Sequence, residues 1–231
     1  MKTLSIKPSF ISDAYEQAAW QQDLLVCGID EAGRGCFAGP VMVAAAVLKP
    51  GRTHKLLKDS KVLNQAQREE AFAWIQDNAW FIACAGTCEE IELYNILQTT
   101  KKKMVQAFIN LMTQEQFLLP ELSKLLIDAV PLEIPTTYQT KQLTVESFPF
   151  GESRSISIAA ASIVAKVTRD TLMNRLHSSF PAYGFDQHKG YGTADHQQTL
   201  TAMGKSIMHR PSFLKKFDLA AEPEQQQLLI G

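Results

Sequence analysis

Runs of consecutive apolar residues recur along this chain and predict a sheet of largely buried strands. Short apolar runs bounded by turn residues are typical of strands that are covered on both faces. The runs predict five strands, at residues 24–29, 41–48, 80–85, 125–128 and 143–146. The first two strands are joined by a short connection, which favours an antiparallel pair.

Helical periodicity fills the segments between these strands. Asn64 is a good N-cap for a helix that reaches residue 79, with a glutamine in the reciprocal capping position. Two further helices are predicted at 89–97 and from residue 100 onward, and the strongest helical pattern covers 157–179. This last helix begins with small residues, which let a helix lie close against a sheet. The order of the elements predicts an α/β fold, a mixed five-stranded sheet with helices on its faces.

The length of 231 residues suits one domain with small appendages. We expect an N-terminal extension over 1–23, a core over 24–200, a C-terminal helical element over 201–219 and a disordered polar tail over 220–231. No apolar run approaches the roughly 18 residues that span a bilayer. The first residues also lack the apolar centre of a signal peptide. We therefore expect a cytoplasmic protein.

The charge balance limits how this protein can bind nucleic acid. Its formal net charge of −1 argues against tight, non-specific binding through many cationic side chains, but a local basic groove remains open. Three basic clusters are candidates, each with a solvated face as the alternative. They are Lys101-Lys102-Lys103, Lys166 with Arg169, and His209-Arg210 with Lys215-Lys216. The four cysteines lack the spacing of a zinc site, so we expect reduced, buried thiols.

Two adjacent acids, Asp30 and Glu31, follow directly on the first apolar run. Ionised carboxylates do not stay in an apolar interior unless positive charge faces them, and a divalent cation with oxygen ligands is the simplest partner. Gly33 and Gly35 then flank Arg34, so that accessible amides and a guanidinium can bind a phosphate or a sugar. A strand that ends in a polar turn remains the alternative interpretation.

A third acid, Asp128, ends another apolar run. Hydrolysis of a phosphodiester by two metal ions needs about four acidic ligands around cations ~3.5–4 Å apart. If the two strands lie side by side, Asp128 joins Asp30 and Glu31 at one edge of the sheet. The alternative is an acid that opens a turn before Pro131.

Five segments, in order along the chain, carry a family resemblance. They are residues 28–35 (Gly-Ile-Asp-Glu-Ala-Gly-Arg-Gly) with 38–41 (Ala-Gly-Pro-Val), Asp59-Ser60-Lys61, residues 158–170, residues 188–193 (His-Lys-Gly-Tyr-Gly-Thr) and residues 209–213 (His-Arg-Pro-Ser-Phe). Together they resemble the type 2 ribonucleases H, whose bacterial branch is ribonuclease HII. The resemblance runs from Leu25 to about Phe213 and implies a ribonuclease H-like fold, in which three antiparallel strands precede parallel ones. Ribonuclease HIII carries a substantial extra N-terminal domain, so we prefer HII.

The resemblance also implies a fourth acid. In the family this acid stands shortly before the small-residue helix, commonly as Lys-Gly-Asp or Lys-Ala-Asp. The register of the helix places Glu152 there, with Phe150 where the family has lysine. Asp170 is the rival, and we interpret it as support for the helix on the wrong side of its buried face. A further departure is Ala129, where the family usually has a glycine after the third acid.

The residues that would contact substrate are likewise implied by the resemblance. Gly33, Arg34 and Gly35 would sense the 2′-hydroxyl of a ribonucleotide with the help of Tyr191, and Lys61 would lie close to the substrate phosphate. A tyrosine suits this role, because its ring can stack on a sugar or base while its hydroxyl forms a hydrogen bond. An aromatic side chain packed in a turn is the alternative for this residue.

These features predict a metal-dependent endoribonuclease that acts on RNA/DNA hybrids and on ribonucleotides embedded in duplex DNA, with a role in replication and repair. Its family leaves 3′-hydroxyl and 5′-phosphate ends and implies two divalent ions, Mn²⁺ or Mg²⁺, held by Asp30, Glu31, Asp128 and Glu152. The alternatives are a ribonuclease HIII-like nuclease, a non-catalytic hybrid-binding module and a DNA-directed nuclease. We expect a monomer, with tail residues 227–230 as a candidate peptide for a sliding clamp.

Overall fold

The computed structural model of this chain describes residues 12–114 and 121–216. The apolar runs form one sheet of five strands, β1 (Leu25–Ala32), β2 (Val41–Leu48), β3 (Ala79–Gly86), β4 (Leu122–Asp128) and β5 (Thr144–Phe148). The strands lie in the order β3-β2-β1-β4-β5. The pairs β1–β2 and β2–β3 are antiparallel, whereas β1–β4 and β4–β5 are parallel. The predicted mixed sheet, with three antiparallel strands followed by parallel ones, is confirmed.

Seven helices are found within the described residues. They are α1 (Ala14–Trp20), α2 (Gln65–Asn78), α3 (Cys88–Met112), α4 (Ile156–Ser179), α5 (Phe185–His188), α6 (Ala194–Met203) and α7 (Pro211–Leu214). The predicted cap of α2 is present, because Asn64 Oδ1 accepts a hydrogen bond from the Gln67 backbone N–H at 2.9 Å. The two helices predicted around residues 89–112 form one element, α3, which is kinked at Asn95 with a φ of 64°. Its ψ is 164°, so Asn95 has a backbone conformation that residues other than glycine rarely adopt.

Neighbouring residues of a strand point to opposite sides, so apolar strands give the sheet two apolar faces. Helices cover both of them. Helices α2 and α4 pack on the face that includes Ala44, whereas α3 packs through Phe108 on the face that includes Val43. Gly28 brings α4 close to β1, since a Cβ at this position would lie 2.2 Å from the backbone nitrogen of Ile158. The predicted close approach of the small-residue helix to the sheet is therefore confirmed.

The C-terminal helices α5, α6 and α7 pack against the end of α4. Their shared apolar cluster includes Met173, Phe185, Leu200 and Leu214. The helical extension of the predicted fold is thus present. The predicted tail at 220–231 and its candidate clamp peptide lie outside the described residues, and the domain boundaries stay predictions.

Two simpler expectations concern the thiols and membrane segments. The four cysteines are free and buried, as expected. None of the helices in the described part of the chain is long and apolar enough to cross a membrane.

Candidate active site

Three of the four predicted acids are positioned by the pairing of β1 with β4. Strand β1 continues through Asp30 and Glu31 instead of ending before them, because both residues pair with β2. Ile29 pairs with Ile127 in the parallel register, so the residues that follow each of them reach the same edge of the sheet. Asp30 and Asp128 therefore lie on neighbouring strands, as the sequence predicted.

Asp30 is buried and receives hydrogen bonds from two sides. Its Oδ1 accepts from the Glu31 backbone N–H at 2.7 Å, and the Ser162 hydroxyl of α4 also donates to this carboxylate. The Ser162 Oγ lies 2.9 Å from the Ser60 Oγ. Since Ser162 gives its proton to Asp30, Ser60 must donate to Ser162. A chain of hydroxyls thus connects the Asp59-Ser60-Lys61 segment to the carboxylate on β1.

Glu152 enters the same region on a 3₁₀ turn formed by Gly151–Ser153. The Gly151 backbone N–H donates to Asp128 Oδ1 at 2.8 Å, which ties this turn to the end of β4. A Cβ on Gly151 would lie 2.7 Å from Ile158 Cδ1 and 3.3 Å from the Asp128 Cα, so this turn packs closely against α4 and the end of β4. The Glu152 side chain is buried, and its electrostatic interaction with Asp128 shows that the two carboxyl groups are neighbours.

The acids share one electrostatic environment. Burial raises the pKa of Asp30 well above its usual range, and the charges of Glu31 and Asp128 raise this pKa further. Burial also raises the pKa of Glu31, against the opposing effect of Arg34. The pKa of Glu152 is raised by burial first and then by Asp128. Negative charge is therefore concentrated at this edge of the sheet, where positive charge would be strongly favoured.

Lys61 and Asp59 belong to the same group of charges. Burial alone would lower the pKa of Lys61, but carboxylates including Asp59, Asp30 and Glu152 raise it above its usual value. The Lys61 Nζ lies 3.8 Å from Asp59 Oδ1, and the lysine side chain is 77% exposed. The buried Asp59 in turn raises the pKa of Glu152. Asp59 was not among the acids predicted from the sequence, where its segment counted only through the family resemblance and Lys61 was the residue expected near the substrate.

The donors at this edge fit a hard divalent cation. All four predicted ligands supply carboxylate oxygens, which Mg²⁺ and Mn²⁺ prefer. Glu31 Oε2 is buried and has no hydrogen-bond partner among residues 12–114 and 121–216, so a bound cation would satisfy it. Within those residues, no three His, Cys, Asp or Glu side chains are already grouped as ligands of one ion. Two of the acids face other donors instead, since Glu31 Oε1 lies 3.1 Å from Arg34 NH1 and Asp128 binds Gly151.

The predicted recognition loop, Gly33-Arg34-Gly35, follows β1 immediately. Gly33 has a φ of 88°, a conformation that glycine adopts at little cost. Arg34 turns back to pair with Glu31, and its side chain is 40% exposed. The carbonyl groups of Gly33 and Arg34 point inward, where both accept hydrogen bonds from Arg210 at 2.9 Å. The loop therefore lies beside the acids and is fixed from its buried side.

Tyr191 lies on a segment that is bound to this region. Its side chain is partly exposed, with Lys166 Nζ and Arg169 Cζ 5.4 and 5.8 Å from the ring centroid. The neighbouring Gly190 packs so tightly that a Cβ would lie 2.4 Å from the Ala38 carbonyl oxygen. The structure thus brings the tyrosine segment into contact with the chain that follows the Gly-Arg-Gly loop.

Two arginines from the predicted basic clusters are buried, so the expectation that these clusters face solvent or phosphate is wrong for both. Arg169 and Arg210 are fully buried, so neither belongs to a solvated face or to an exposed phosphate-binding groove. Their guanidinium groups donate to backbone carbonyls of the Gly-Arg-Gly loop and of adjoining segments. The acceptors are Ala38, Pro40 and Lys189 for Arg169, and Gly33, Arg34 and Gly39 for Arg210. No sequence pattern marks an arginine as buried, because its hydrogen-bond acceptors are distant in the chain.

The family profile named Ribonuclease HII matches residues 27–216. The ribonuclease HII of Chlamydia muridarum is 42% identical over 202 residues, which is 86% of each chain. The ribonuclease HII of Shouchella clausii is 43% identical over 219 residues, covering 94% of this chain and 77% of its own.

Solved structures agree in fold. The ribonuclease H2 from Pyrococcus horikoshii OT3 superposes with a TM-score of 0.65 at 24% identity, covering 82% of this chain and 93% of its own. Bst-RNase HIII in complex with Mn²⁺ superposes with a TM-score of 0.61 at 19% identity, covering 84% and 69%. The profile match and the identity over most of both chains show that this chain belongs to the ribonuclease HII family of ribonuclease H hydrolases.

Proposed function

We propose that this protein cleaves the RNA strand of RNA/DNA hybrids and incises duplex DNA at embedded ribonucleotides, leaving 3′-hydroxyl and 5′-phosphate ends. The observation that carries the proposal is the gathering of Asp30, Glu31, Asp128 and Glu152 at one edge of the sheet, where burial and neighbouring negative charge raise the pKa values of Asp30, Glu31 and Glu152. Burying such a cluster costs stability, because like charges repel and lose hydration. A catalytic role explains why the protein keeps it. A module that only binds hybrids would gain nothing from negative charge beside phosphates.

The proposed ligands of two divalent cations are the same four acids. When bound, such ions activate a water molecule and stabilise the leaving oxygen of a phosphodiester. The similarity in fold to Bst-RNase HIII, solved with Mn²⁺, supports Mn²⁺ as one suitable ion. Asp30 and Asp128 come from adjacent strands and are the more rigid ligands, whereas Glu152 approaches from a turn with a longer side chain.

The cationic side chains near the acids are proposed to bind the substrate backbone. Arg34 pairs with Glu31 at 3.1 Å, and a cation on Glu31 would release its guanidinium for a phosphate or sugar oxygen. Lys61 is exposed and already lies within the field of the acids, so it balances charge while contacting phosphate. These two residues would orient the scissile bond over the carboxylates.

Recognition of the ribonucleotide is proposed to lie between Gly33-Arg34-Gly35 and Tyr191. The Phe37 and Ala38 backbone N–H groups, shortly after the loop, both donate to the Gly190 carbonyl oxygen, so the loop and Tyr191 are held in one region where a sugar could contact both. Distinguishing a ribonucleotide from a deoxyribonucleotide needs a rigid binding site. Only a rigid site leaves one of its own polar groups without a partner when the 2′-hydroxyl is missing. The carbonyl groups held by Arg169 and Arg210 supply that rigidity.

One assay tests the proposal directly. A DNA duplex with a single embedded ribonucleotide is incubated with the protein and Mn²⁺ or Mg²⁺, beside an all-DNA duplex of the same sequence. We expect incision at the ribonucleotide alone, with loss of cleavage on adding chelator. Cleavage of the all-DNA duplex would instead identify a DNA-directed nuclease. Binding without cleavage under any metal condition would identify a binding module and reject the proposal.

A further inference from the structure

Helix α1 carries a buried acid that contacts a distant helix. Glu16 is 1% exposed, and its Oε1 accepts hydrogen bonds from Ser155 Oγ at 2.5 Å and from the Ser157 backbone N–H at 3.0 Å. Both serines lie at the start of α4, more than 130 residues later in the chain. Glu16 lies outside residues 27–216, the range that the family profile matches. A segment that precedes the family core is therefore bound into its interior.

These contacts make Glu16 part of the N-terminal cap of α4. Ser155 is the N-cap residue, and its Oγ accepts from the Ile158 backbone N–H at 3.2 Å while donating its own proton to Glu16. The Ser157 N–H is one of the first amides of a helix, which have no partner within the helix itself. A carboxylate near a helix N-terminus is also favoured by the helix dipole. Glu16 therefore stabilises the first turn of α4 in one orientation.

The capped end of α4 is continuous with the turn that carries Glu152. The backbone N–H groups of Arg154 and Ser155 both donate to the Gly151 carbonyl oxygen, at 2.8 and 3.0 Å. Just before α1, the Ser12 N–H donates to the Ser153 carbonyl oxygen at 3.3 Å. The α1 segment thus contacts both the 3₁₀ turn and the helix that follows it, so a shift of either element would move Glu152.

We propose that Glu16 is a positioning residue for Glu152, which it holds toward the other acids by fixing the first turn of α4. The inference rests on the proposed function, because it takes Glu152 as a ligand of the metal centre. It assigns α1 a part in the active site, although α1 supplies no group that touches the substrate. A purely structural cap would stabilise the fold without any specific dependence on Glu152.

The test combines variants of the full chain with three measurements. The variants are Glu16→Ala, Glu16→Gln, Glu152→Gln, the Glu16→Ala/Glu152→Gln double variant, and the control Gln17→Ala, which alters an exposed residue of the same helix. The measurements are the single-turnover cleavage rate on the single-ribonucleotide duplex, the Mn²⁺ affinity by calorimetry without substrate, and hydrogen exchange of residues 149–160. All are made well below the melting temperature of each variant.

We expect Glu16→Ala to lower the single-turnover cleavage rate at saturating protein on the order of 10-fold, because even a 1 Å misplacement of a reacting group can cost about 10²-fold. Mn²⁺ binding should weaken, and exchange at 149–160 should rise. Glu16→Gln keeps an acceptor oxygen and should restore most of the rate, while Gln17→Ala should match the wild type. In the Glu152→Gln background, Glu16→Ala should lower the cleavage rate by less than about twofold further, since the effects of coupled residues are not additive.

Each contrary result has a distinct meaning. Full additivity of the two substitutions, or unchanged hydrogen exchange and Mn²⁺ affinity in Glu16→Ala, would overturn the positioning role. A wild-type protein that cleaves no substrate would reject the proposed function, yet exchange and Mn²⁺ affinity would still decide whether Glu16 orders the turn. Wild-type cleavage by Glu152→Gln would overturn the inference, because the turn would then carry no residue of the site.

Discussion

The buried pair His196 and His209 predicts that this protein loses stability in mild acid. Both rings are almost completely buried, and their Nε2 atoms lie 3.0 Å apart. His196 Nδ1 donates to the Tyr191 carbonyl oxygen at 2.8 Å, and His209 Nδ1 accepts from the Ser206 backbone N–H at 2.9 Å. The proton between the rings therefore belongs to His209. Protonating His196 would place two donors face to face and break the bond.

The magnitude follows from the pKa values of the pair. Burial lowers the pKa of His196 to about 4 and that of His209 to about 3, from 6.5. Below pH 6.5 the unfolded chain binds protons that the folded chain does not, so the free energy of unfolding falls as the pH falls. Each group contributes about 1.4 kcal/mol per pH unit in this window. Between pH ~6.5 and ~4.5 the two histidines together lower the free energy of unfolding by on the order of 4 kcal/mol. For a chain of this length, that loss corresponds to a fall in Tm of about 10 °C.

The assay is a melting curve at several pH values for the wild type and a His209→Leu variant, both without metal. Buried acids such as Asp30 act in the opposite sense, because a raised pKa favours the folded state as the pH falls. This contribution is common to both proteins and cancels in their difference. The variant has lost one of the two groups, so its fall in Tm should be smaller than that of the wild type by about 5 °C, half of the contribution of the pair. Equal falls in both proteins would refute the reasoning.

Three further predictions concern the site. Asp30→Asn should nearly abolish cleavage and raise the Tm of the metal-free protein, because an amide cannot replace the ligand charge but relieves repulsion; normal turnover would remove this residue from the site. Glu152→Gln should lower the cleavage rate strongly while Asp170→Asn changes it little, and the reverse result would mean that the assigned register is wrong. Arg34→Ala and Tyr191→Phe should each lose more activity on a single embedded ribonucleotide than on a long hybrid, and equal losses on both substrates would indicate general binding.

The strands and helices were predictable because their signal is local. Apolar runs and capping residues depend on neighbours a few positions away, so the five strands and the cap of α2 agree with the structure. The apolar run that predicts β1 ends at Ile29, whereas the strand itself continues through Asp30 and Glu31 to Ala32. Backbone pairing with β2 outweighs the low strand propensity of Asp and Glu here.

The framework around the candidate site was much harder to predict. Arg169 and Arg210 are buried against carbonyl groups that belong mainly to distant segments, at separations of up to 177 residues. Glu16 likewise has its partners at the other end of the core. A charged residue is normally interpreted as exposed, and only the fold shows that these three are buried and hydrogen-bonded to distant segments. Asp30, Glu31 and Asp128 were identified as acids that follow or end apolar runs, whereas Glu152 was placed only through the family resemblance.

Ala129 shows how the acid-bearing strand ends under strain. It has a φ of 54°, and the Val130 N–H donates to the Asp128 carbonyl oxygen at 2.6 Å, so the chain turns within three residues. Such a tight turn is rare, and alanine pays roughly 1–2 kcal/mol for a left-handed conformation that glycine adopts freely. The sharp turn leaves Asp128 at the very end of β4, where its carboxylate can accept from Gly151 and lie beside Glu152. The strained turn at Ala129 brings Asp128, at the end of β4, next to the turn that carries Glu152. The hydrogen bond from the Gly151 N–H to Asp128 joins the strand to that turn.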